Sequence, residues 1–379
     1  MIDVKKPTLL LDAPRARLNI RRMTEKSRRL GLRFRPHFKT HQSHAVGRMF
    51  REFGVGAVTV SSVDMARYFA ADGWTDILIA FPVNVREVED IRALAAEVRL
   101  GLLVESPEAV RRLAGAWPAA VDVWIKIDVG ANRAGIEWDD IELFGAVARE
   151  VTAVAPLRLR GLLTHNGQTY RARTSAELAA VHGESLMRLR RVREALAGRG
   201  FGSLEISVGD TPSARRLEDF AGVDEIRPGN FVLHDAMQLD LGTCAEEEIA
   251  AAVACPVVAL HPRRGEAVIY GGGIHLSKES LVTRDGEEIF GRVCLPEGDG
   301  WGRALAGTAV ASISQEHGIV RTTPDVLARL AVGDLVVVLP VHSCMTVNLW
   351  PEYLALDGPR VGTIRGWQGT AHGHQAGAE

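Results

Sequence analysis

Lysine is scarce in this sequence. Of the 45 lysine and arginine residues only six are lysines, at positions 5, 6, 26, 39, 126 and 278. Lys39 lies in PHFKTHQS, between a short strand pattern and a helical pattern, with His37, Thr40 and His41 around it. Any step that needs a primary amine therefore has few candidates, and Lys39 has the least ordinary surroundings of the six.

Several other features are absent. The four cysteines show no C-x-x-C spacing, so a disulfide framework is not expected in a chain of 379 residues. No apolar run approaches the length of a membrane span, and the N-terminal apolar run is too short for a signal peptide. The formal net charge of −2 gives no general attraction to nucleic acid or to an anionic membrane. These absences predict a cytoplasmic protein whose partners are neither nucleic acids nor membranes.

A repeated strand-then-helix pattern fills the first two thirds of the chain. This repetition predicts parallel strands with helical crossovers, and eight units in about 210 residues fit a (β/α)₈ TIM-like barrel. A doubly wound sheet would share the pattern, but no G-x-G-x-x-G follows the first strand and no Walker lysine is present. We assign residues 20–245 to this domain. The predicted strands are 33–38, 55–60, 76–81, 98–106, 121–128, 157–165, 204–209 and 223–229.

The remaining sequence has a different pattern of apolar and polar residues. After about residue 245 the helical patterns thin out, and short apolar runs separated by turns take over. We therefore predict a mostly antiparallel β domain over residues 246–379, joined by the isolated N-terminal strand within residues 1–19. The small polar tail 369–379 is expected to fray.

Chemistry in such barrels is done by residues at the C-terminal ends of the strands. The first strand ends near Lys39, and the fifth ends at Asp128 before a loop that carries Arg133. The sixth strand ends near His165, with Tyr170 shortly after it. Each residue also has an ordinary structural explanation, since a lone histidine is usually a core residue and a loop lysine is usually solvated. It is the convergence of compatible groups at one end of the barrel that favours an active site.

The loops after the last two strands suggest a phosphate site. Gly209, Thr211 and Ser213 supply small residues and hydroxyls after strand seven, while Gly229 and Asn230 supply a turn after strand eight. These loops commonly bind phosphate through backbone N–H groups. Because the first and last strands are neighbours in a closed barrel, the arrangement suits pyridoxal phosphate (PLP), with its aldehyde on a lysine and its phosphate anchored opposite.

Two alternatives remain open at this point. Lys126 is the rival lysine, since it lies in strand five on the same face as Asp128, where a buried Lys–Asp pair is equally compatible with the pattern. The segment GDTPSA reads equally well as a capped helix start, with Asp210 or Thr211 as the N-cap.

A second constellation lies in PVHSCMTVNL. If this segment is a strand, His342 and Cys344 point to the same face, and an imidazole with a thiolate suits Zn²⁺. Core packing of the cysteine is the alternative. Glu316 and His317 occupy a predicted turn nearby, and their roles are left unassigned together with that of Tyr270.

Taken together, these motifs resemble those of the fold-type III PLP enzymes, the alanine-racemase-like class, in the branch that contains D-serine dehydratases and D-threonine aldolases. PHFKTH is similar to the cofactor-lysine segment, which implies that Lys39 forms the Schiff base with PLP. KIDVGANRAGI implies that Arg133 contacts the ring oxygen of the cofactor. GLLTHNGQTY implies that His165 packs on the pyridine ring and that Tyr170 reaches the cofactor or the substrate.

The resemblance extends to the remaining motifs. PVHSCMTVNL is similar to the branch's H-x-C or H-x-D metal motif, which implies that His342 and Cys344 bind Zn²⁺ or another divalent metal. The resemblance also implies a homodimer with active sites at the subunit interface. Two positions depart from the pattern, Tyr270 where an aspartate is expected and His234 where an aromatic residue is common. The implied phosphate ligands are Gly209, Thr211, Gly229 and Asn230.

The implied reaction is the dehydration and deamination of a 3-hydroxy-D-amino acid of the D-serine type to a 2-oxo acid and ammonia. The alternative is a D-threonine aldolase, which uses the same groups to give glycine and an aldehyde. The H-x-C form of the metal motif favours the dehydratase, since the resemblance associates H-x-D with the aldolases. An amino-acid racemase and a catalytically silent PLP-binding protein are less favoured.

Overall fold

The structure is a computed structural model that describes residues 2–368. The tail 369–379, which was expected to fray, lies outside the described residues. Two β-sheets organise the chain, one parallel and one mostly antiparallel. No helix within the described part of the chain is both long and apolar enough to cross a membrane.

The parallel sheet contains all eight predicted strands, which confirms the barrel. The pairing order is β2-β10-β9-β8-β6-β5-β4-β3. A bridge between His37 and Thr59, with a hydrogen bond from Phe38 N to Thr59 O, joins the first strand to the second and closes the ring. The strands are β2 (Arg33–Phe34), β3 (Val58–Val60), β4 (Asp76–Pro82), β5 (Arg99–Val104), β6 (Val121–Asp128), β8 (Leu157–Leu163), β9 (Glu205–Val208) and β10 (Glu225–Ile226), with β7 (Ile136–Glu137) paired to β6.

Helices follow these strands, and most of the intervening segments carry their own start signal. Ser62, Ser106 and Asp140 are N-caps whose side chains accept from the backbone N–H three residues later. Pro14 lies in the first turn of the first helix, where its fixed φ suits a helix start. The helices are α1 (Ala13–Arg29), α2 (His44–Glu52), α3 (Val63–Ala71), α4 (Val88–Ala95), α5 (Pro107–Arg112), α6 (Ile141–Ala153), α7 (Ser175–Gly198), α8 (Thr211–Arg216) and α9 (Ala236–Asp240).

The second sheet closes into an antiparallel barrel. Its order is β12-β17-β16-β15-β18-β11, with β12 pairing back to β11. The N-terminal strand β1 (Thr8–Leu11) pairs antiparallel with β11 and parallel with β19. The elements are β11 (Ala251–His261), β12 (Glu266–Tyr270), α10 (Gly273–Leu276), β13 (Leu281–Val282), β14 (Glu288–Ile289), β15 (Gly291–Glu297), β16 (Gly300–Ile313), β17 (His317–Arg321), α11 (Pro324–Leu327), β18 (Leu335–Pro340), α12 (Ser343–Val347), β19 (Glu352–Ala355) and β20 (Arg360–Gly362).

The two sheets meet at the C-terminal end of the parallel barrel. Tyr353 donates a hydrogen bond to His41 O at 2.7 Å, and Ile364 N donates to Gln42 O at 2.8 Å. The antiparallel domain therefore lies over the loop that carries Lys39. Inside the barrel, the buried side chains of Leu78, Leu103, Trp124 and Leu163 form a small apolar cluster beneath this region.

An ion-pair network occupies the opposite, N-terminal end of the barrel. Arg35 pairs with Glu225 at 2.9 Å and also with Asp76, and Glu225 is 1% exposed. Burial opposes the charge on Arg35, but Glu225 and Asp76 outweigh it and raise the pKa of the guanidinium. Removing one member of a buried pair leaves the other charge without compensation, which is strongly destabilising.

We expect Arg35→Met to lower the free energy of unfolding by about 3 kcal/mol, because it leaves the buried Glu225 carboxylate with the more distant Arg33, 3.7 Å away, as its remaining ion-pair partner within residues 2–368. The control is Arg99→Met, since Arg99 also pairs with Asp76 but its side chain is 56% exposed, and its loss is expected to cost less than about 1 kcal/mol. Urea unfolding followed by circular dichroism measures both. Equal losses in the two variants would contradict the expectation.

Candidate active site

A single cavity of about 870 Å³ lies between the C-terminal ends of the barrel strands and the antiparallel domain. It brings together residues that are more than 300 positions apart in sequence. Thr211 is the one predicted site residue outside the lining, because its hydroxyl accepts from Phe231 N. Nine of the ten predicted site residues line the cavity: Lys39, Arg133, His165, Tyr170, Gly209, Gly229, Asn230, His342 and Cys344.

Lys39 is held by the turn that follows β2. His37 lies just before it and lines the same cavity, with its Nδ1 3.4 Å from Lys39 N. Burial, reinforced by Lys39, lowers the pKa of His37 well below its usual range, so this imidazole is neutral. Among the described lysines, only Lys39 and Lys126 line the cavity.

The end of β6 shapes the loop that carries Arg133. Asp128 Oδ1 accepts hydrogen bonds from Gly130 N at 2.7 Å and Ala131 N at 2.8 Å, so the carboxylate folds the chain back at the strand end. Gly135, where the loop comes back against the end of β6, has φ +114°. A Cβ there would lie 2.6 Å from Asp128 N, so this position requires glycine. Arg133 thereby reaches the cavity from a loop with little freedom.

Lys126, the rival lysine, is 6% exposed, and its Nζ donates to Ile127 O at 3.0 Å. Burial, with the positive charges of Arg227 and Arg133, lowers its pKa to about 7. Between about pH 7 and 10 the unfolded chain therefore binds one more proton than the folded chain, so stability rises with pH there.

This proton balance gives a measurable pH dependence for the ligand-free protein. We expect the free energy of unfolding of the wild type, relative to Lys126→Met, to rise by about 1.4 kcal/mol per pH unit from pH 7 to 9. Methionine fills similar space without titrating, which makes this variant the matched reference. Urea titrations at several pH values measure the free energy of unfolding of both proteins. If it changes with pH in the same way in both, the lowered pKa of Lys126 is contradicted.

His165 and Tyr170 approach from the loop after β8. His165 Nδ1 donates to Gly209 O, and burial together with Lys39 lowers the pKa of this histidine to about 3. The ring is therefore neutral, and Nε2 is its unprotonated nitrogen. Burial and the nearby Asp210 raise the pKa of Tyr170, which keeps its phenol protonated as a potential donor.

The predicted phosphate loops present unused backbone donors. Within residues 2–368, the backbone N–H groups of Gly209, Gly229 and Asn230 donate to no protein acceptor. A Cβ at Gly229 would lie 2.7 Å from His37 O, so this loop lies against the Lys39 segment and requires glycine. Asp210 caps α8 by accepting from Ser213 N, which confirms the capped helix start. A phosphate-binding role for these loops and a capped helix start at Asp210 are thus compatible.

Arg227 was missed by the sequence analysis. It lies directly after β10, is 4% exposed, and donates from Nε to Ser207 Oγ at 2.7 Å. Burial lowers its pKa to about 10, so it stays charged at neutral pH. Its position at a strand end, directly before Pro228 and Gly229, is the sequence feature from which Arg227 could have been predicted as a site residue. The cavity lining thus holds the guanidinium groups of Arg133 and Arg227 and the amines of Lys39 and Lys126, the latter only partly protonated near pH 7, against the carboxyl groups of Glu105 and Asp210.

This arrangement fits PLP. A surplus of positive charge suits an anionic cofactor, free N–H groups suit its phosphate, and Lys39 offers an amine for its aldehyde. Lys126 remains an alternative amine, but its Nζ is engaged with Ile127 O inside the barrel.

The prediction that PVHSCMTVNL is one strand was wrong. β18 ends at Pro340, His342 is the N-cap of α12, and Cys344 lies in the first turn of that helix. The chain leaves the strand because Ser343 N bonds to the Asp235 carboxylate and Met237 N bonds to Val341 O. His342 and Cys344 both reach the cavity through this helical turn, although not by strand alternation.

The two side chains form a polarised pair. Burial opposes charge on both, but Cys344 and Asp235 raise the pKa of His342 to about 9, while His342 and Lys39 lower that of Cys344. Thr40 Oγ1 lies 3.1 Å from Cys344 Sγ, so the residue after Lys39 touches the thiol directly. A thiolate and an imidazole facing one cavity are a donor set that suits Zn²⁺. Within residues 2–368 no cluster of three or more metal-binding side chains occurs, so this pair is not part of a larger donor cluster.

The residues that the sequence analysis left unassigned or named as departures from the family pattern do not line the cavity. Tyr270 is 38% exposed and contacts the His275 ring edge-on, while Glu316 lies 3.9 Å from His275 Nε2. His317 begins β17. His234 is fully buried with φ +51° and lies outside the lining.

Comparison with known families matches both parts of the chain. Residues 11–235 match the alanine racemase N-terminal domain, and residues 250–356 match the serine dehydratase domain. The first match alone covers more than half of the sequence. The alanine-racemase-like fold is therefore confirmed.

Three characterised relatives extend over nearly the whole chain. The D-threo-3-hydroxyaspartate dehydratase of Delftia sp. (strain HT23) is 30% identical over 97% of this chain and 98% of its own. Its solved structure has a TM-score of 0.88 over 96% of this chain and 98% of its own. The D-serine dehydratase of Dictyostelium discoideum is 26% identical over 92% of each chain. The D-threonine aldolase of Arthrobacter sp is 25% identical over 91% of this chain and 87% of its own.

Two variants of the Delftia dehydratase have also been solved. One has a histidine replaced by alanine. The other, in a metal-free form, has a cysteine two positions further along replaced by alanine. That spacing is the H-x-C spacing of His342 and Cys344 here.

Proposed function

This chain belongs to the alanine-racemase-like family of fold-type III PLP enzymes, and from that premise we propose a PLP- and metal-dependent lyase that dehydrates and deaminates a 3-hydroxy-D-amino acid to a 2-oxo acid and ammonia. One observation carries the proposal: Lys39 and the His342–Cys344 pair line the same cavity. The 3.1 Å contact between Thr40 and Cys344 puts the two functional segments side by side. D-Serine is the simplest substrate of this class.

The residues that would hold PLP are those that converge on Lys39. Lys39 Nζ would carry the aldehyde carbon, Arg133 would bind the ring oxygen, and His165 would pack on the ring. Gly209, Gly229 and Asn230 would bind the phosphate through their N–H groups, with Thr211 supporting the loop. Bound PLP would delocalise the charge left on the substrate when a bond to Cα breaks.

The proton chemistry belongs to Lys39 and its neighbours. We propose that Lys39 Nζ accepts the proton from the substrate Cα. His37 and His165 stay neutral beside it, so they do not repel a protonated Nζ. Tyr170 remains a phenol and can donate a hydrogen bond to cofactor or substrate. The cationic lining orients the substrate carboxylate.

His342 and Cys344 would hold a divalent metal, with Zn²⁺ proposed from the donor types. The metal would act as a Lewis acid on the substrate's β-hydroxyl and make hydroxide a better leaving group. The matching spacing of the substituted histidine and cysteine in the Delftia dehydratase variants supports this assignment. Metal analysis of the purified protein, before and after treatment with a chelator, tests the identity of the ion.

A retro-aldol cleavage is the second candidate, because D-threonine aldolase is among the relatives and would use the same groups. Incubation with D-serine, D-threo-3-hydroxyaspartate and D-threonine separates the two. Pyruvate from D-serine, or oxaloacetate from the hydroxyaspartate, with release of ammonia supports the dehydratase. Glycine from the hydroxyaspartate or from D-threonine would overturn it in favour of the aldolase.

We also propose a homodimer with its active sites at the interface, as the family resemblance implies. Light scattering of the eluted protein measures the mass directly. A monomeric mass for the active, PLP-loaded protein would contradict the proposal.

A further inference from the structure

Asp235 is a buried carboxylate beside the metal-binding turn. It lies at the start of α9, in the loop that follows β10, and is 0% exposed. Its Oδ2 accepts from Ser343 N at 2.9 Å, from Ser343 Oγ at 3.3 Å and from Asn230 Nδ2 at 2.6 Å. Its Oδ1 accepts from Gln238 N at 2.9 Å. Ser343 is the residue between His342 and Cys344, so Asp235 holds the middle of that turn.

The charge of Asp235 has little compensation from the protein. Within the described part of the chain, its one ion-pair contact is His342, whose Nδ1 lies 3.6 Å from Asp235 Oδ2. That Nδ1 is itself buried and has no hydrogen-bond partner. A fully buried carboxylate needs a nearby positive charge or a full set of donors. Ser343, Asn230 and Gln238 supply the donors, so what the Asp235 carboxylate still lacks is a nearby positive charge, which a cation held beside it by His342 would provide.

We propose that Asp235 is the positioning residue of the metal site. It fixes the turn through His342 and Cys344 and orients the His342 ring with Nδ1 toward Asp235, which leaves Nε2 for the metal. The inference rests on the proposed metal-dependent function. Because the carboxylate comes from the parallel barrel and the ligands from the antiparallel domain, it also ties the metal site to the barrel that carries Lys39.

The test is the affinity of PLP-loaded Asp235→Asn for Zn²⁺, measured by competition with a chromophoric chelator. Removing an outer hydrogen-bond partner of a ligating histidine typically weakens metal binding by about 10–100-fold, and we expect a loss in that range. The absorbance of the bound cofactor should be unchanged, because the contacts of Lys39 are untouched and the phosphate contact proposed for Asn230 uses its backbone N–H, not the Nδ2 that donates to Asp235.

Two controls separate this role from a structural one. Asp140→Ala removes a helix cap of the same kind at α6, and Asp240→Asn removes a carboxylate that is 5% exposed on the same helix α9. Both should bind Zn²⁺ like the wild type, and Asp140→Ala provides the melting-temperature change of a lost cap. If Asp235→Asn does not fold, Asp235→Ser keeps a capping oxygen without the charge and carries the same expectation.

The outcomes are distinct. Wild-type affinity in the folded Asp235 variant overturns the inference and leaves the proposed function intact. A wild type that binds no Zn²⁺ in its PLP-loaded state overturns the metal-dependent function itself. A 10–100-fold weaker affinity confined to the Asp235 variant supports the inference.

Discussion

Lys39→Ala is expected to remove the visible absorbance of the PLP-loaded protein and to lower turnover by about 10³-fold or more, since the substitution deletes both the cofactor's covalent anchor and the base. Lys39 is half-buried in the cavity, next to a neutral His37 and close to the thiol of Cys344 through Thr40. No other described residue combines an amine with this position.

Lys126→Met is the matched control, because Lys126 is the other lysine of the cavity lining. It should retain the visible absorbance, and borohydride reduction followed by peptide mapping should find the cofactor on Lys39. If Lys39→Ala keeps the absorbance while Lys126→Met loses it, the anchor is Lys126 and the assignment is wrong. A wild type that shows no absorbance after loading with PLP would remove the basis of the proposed function.

Cys344→Ala is expected to abolish stable metal binding and to lower the dehydration rate by about 10³-fold, because Lewis-acid assistance is worth several kcal/mol in the transition state. The cofactor absorbance should persist, since Cys344 is proposed to bind the metal and not PLP. The informative result is a variant that keeps the cofactor absorbance but loses its dehydration activity. Elemental analysis and a coupled 2-oxo-acid assay measure the two quantities.

The matched control is Cys244→Ala. Cys244 and Cys344 are both 9% exposed, but Cys244 packs in an apolar cluster with Leu10 and Ile249 and lies outside the cavity. It should keep its metal and its activity. Full activity in metal-free Cys344→Ala would contradict the role assigned to the metal.

Much of the fold could be predicted because it is encoded locally. Most barrel strands are short apolar runs, and most of the following helices have their own periodicity and cap, so eight repeats predict a barrel without any tertiary information. The position of the site followed from the same rule, since strand ends converge at one face. Seven of the ten predicted site residues line one cavity for that reason, while His342 and Cys344 reach it from α12 of the antiparallel domain.

Arg227, Asp235 and the turn through Ser343 could not be derived in this way. The roles of Arg227 and Asp235 depend on partners far away in sequence, such as Ser343 for Asp235, which lies 108 positions later. The strand predicted for PVHSCMTVNL failed because long-range hydrogen bonds to Asp235 and Met237 override a local β pattern.

The sequence by itself thus determined the barrel, the scarcity of lysine that singles out Lys39, and the H-x-C pair that the second domain brings to the site. Only the tertiary structure decided how these parts meet. Closure of the barrel places the glycines of the last loop against the Lys39 segment, and docking of the second domain brings Cys344 within 3.1 Å of Thr40. The physical reason is that periodicity and capping are properties of neighbouring residues, whereas burial, charge compensation and the geometry of a site are set by groups that only folding brings together.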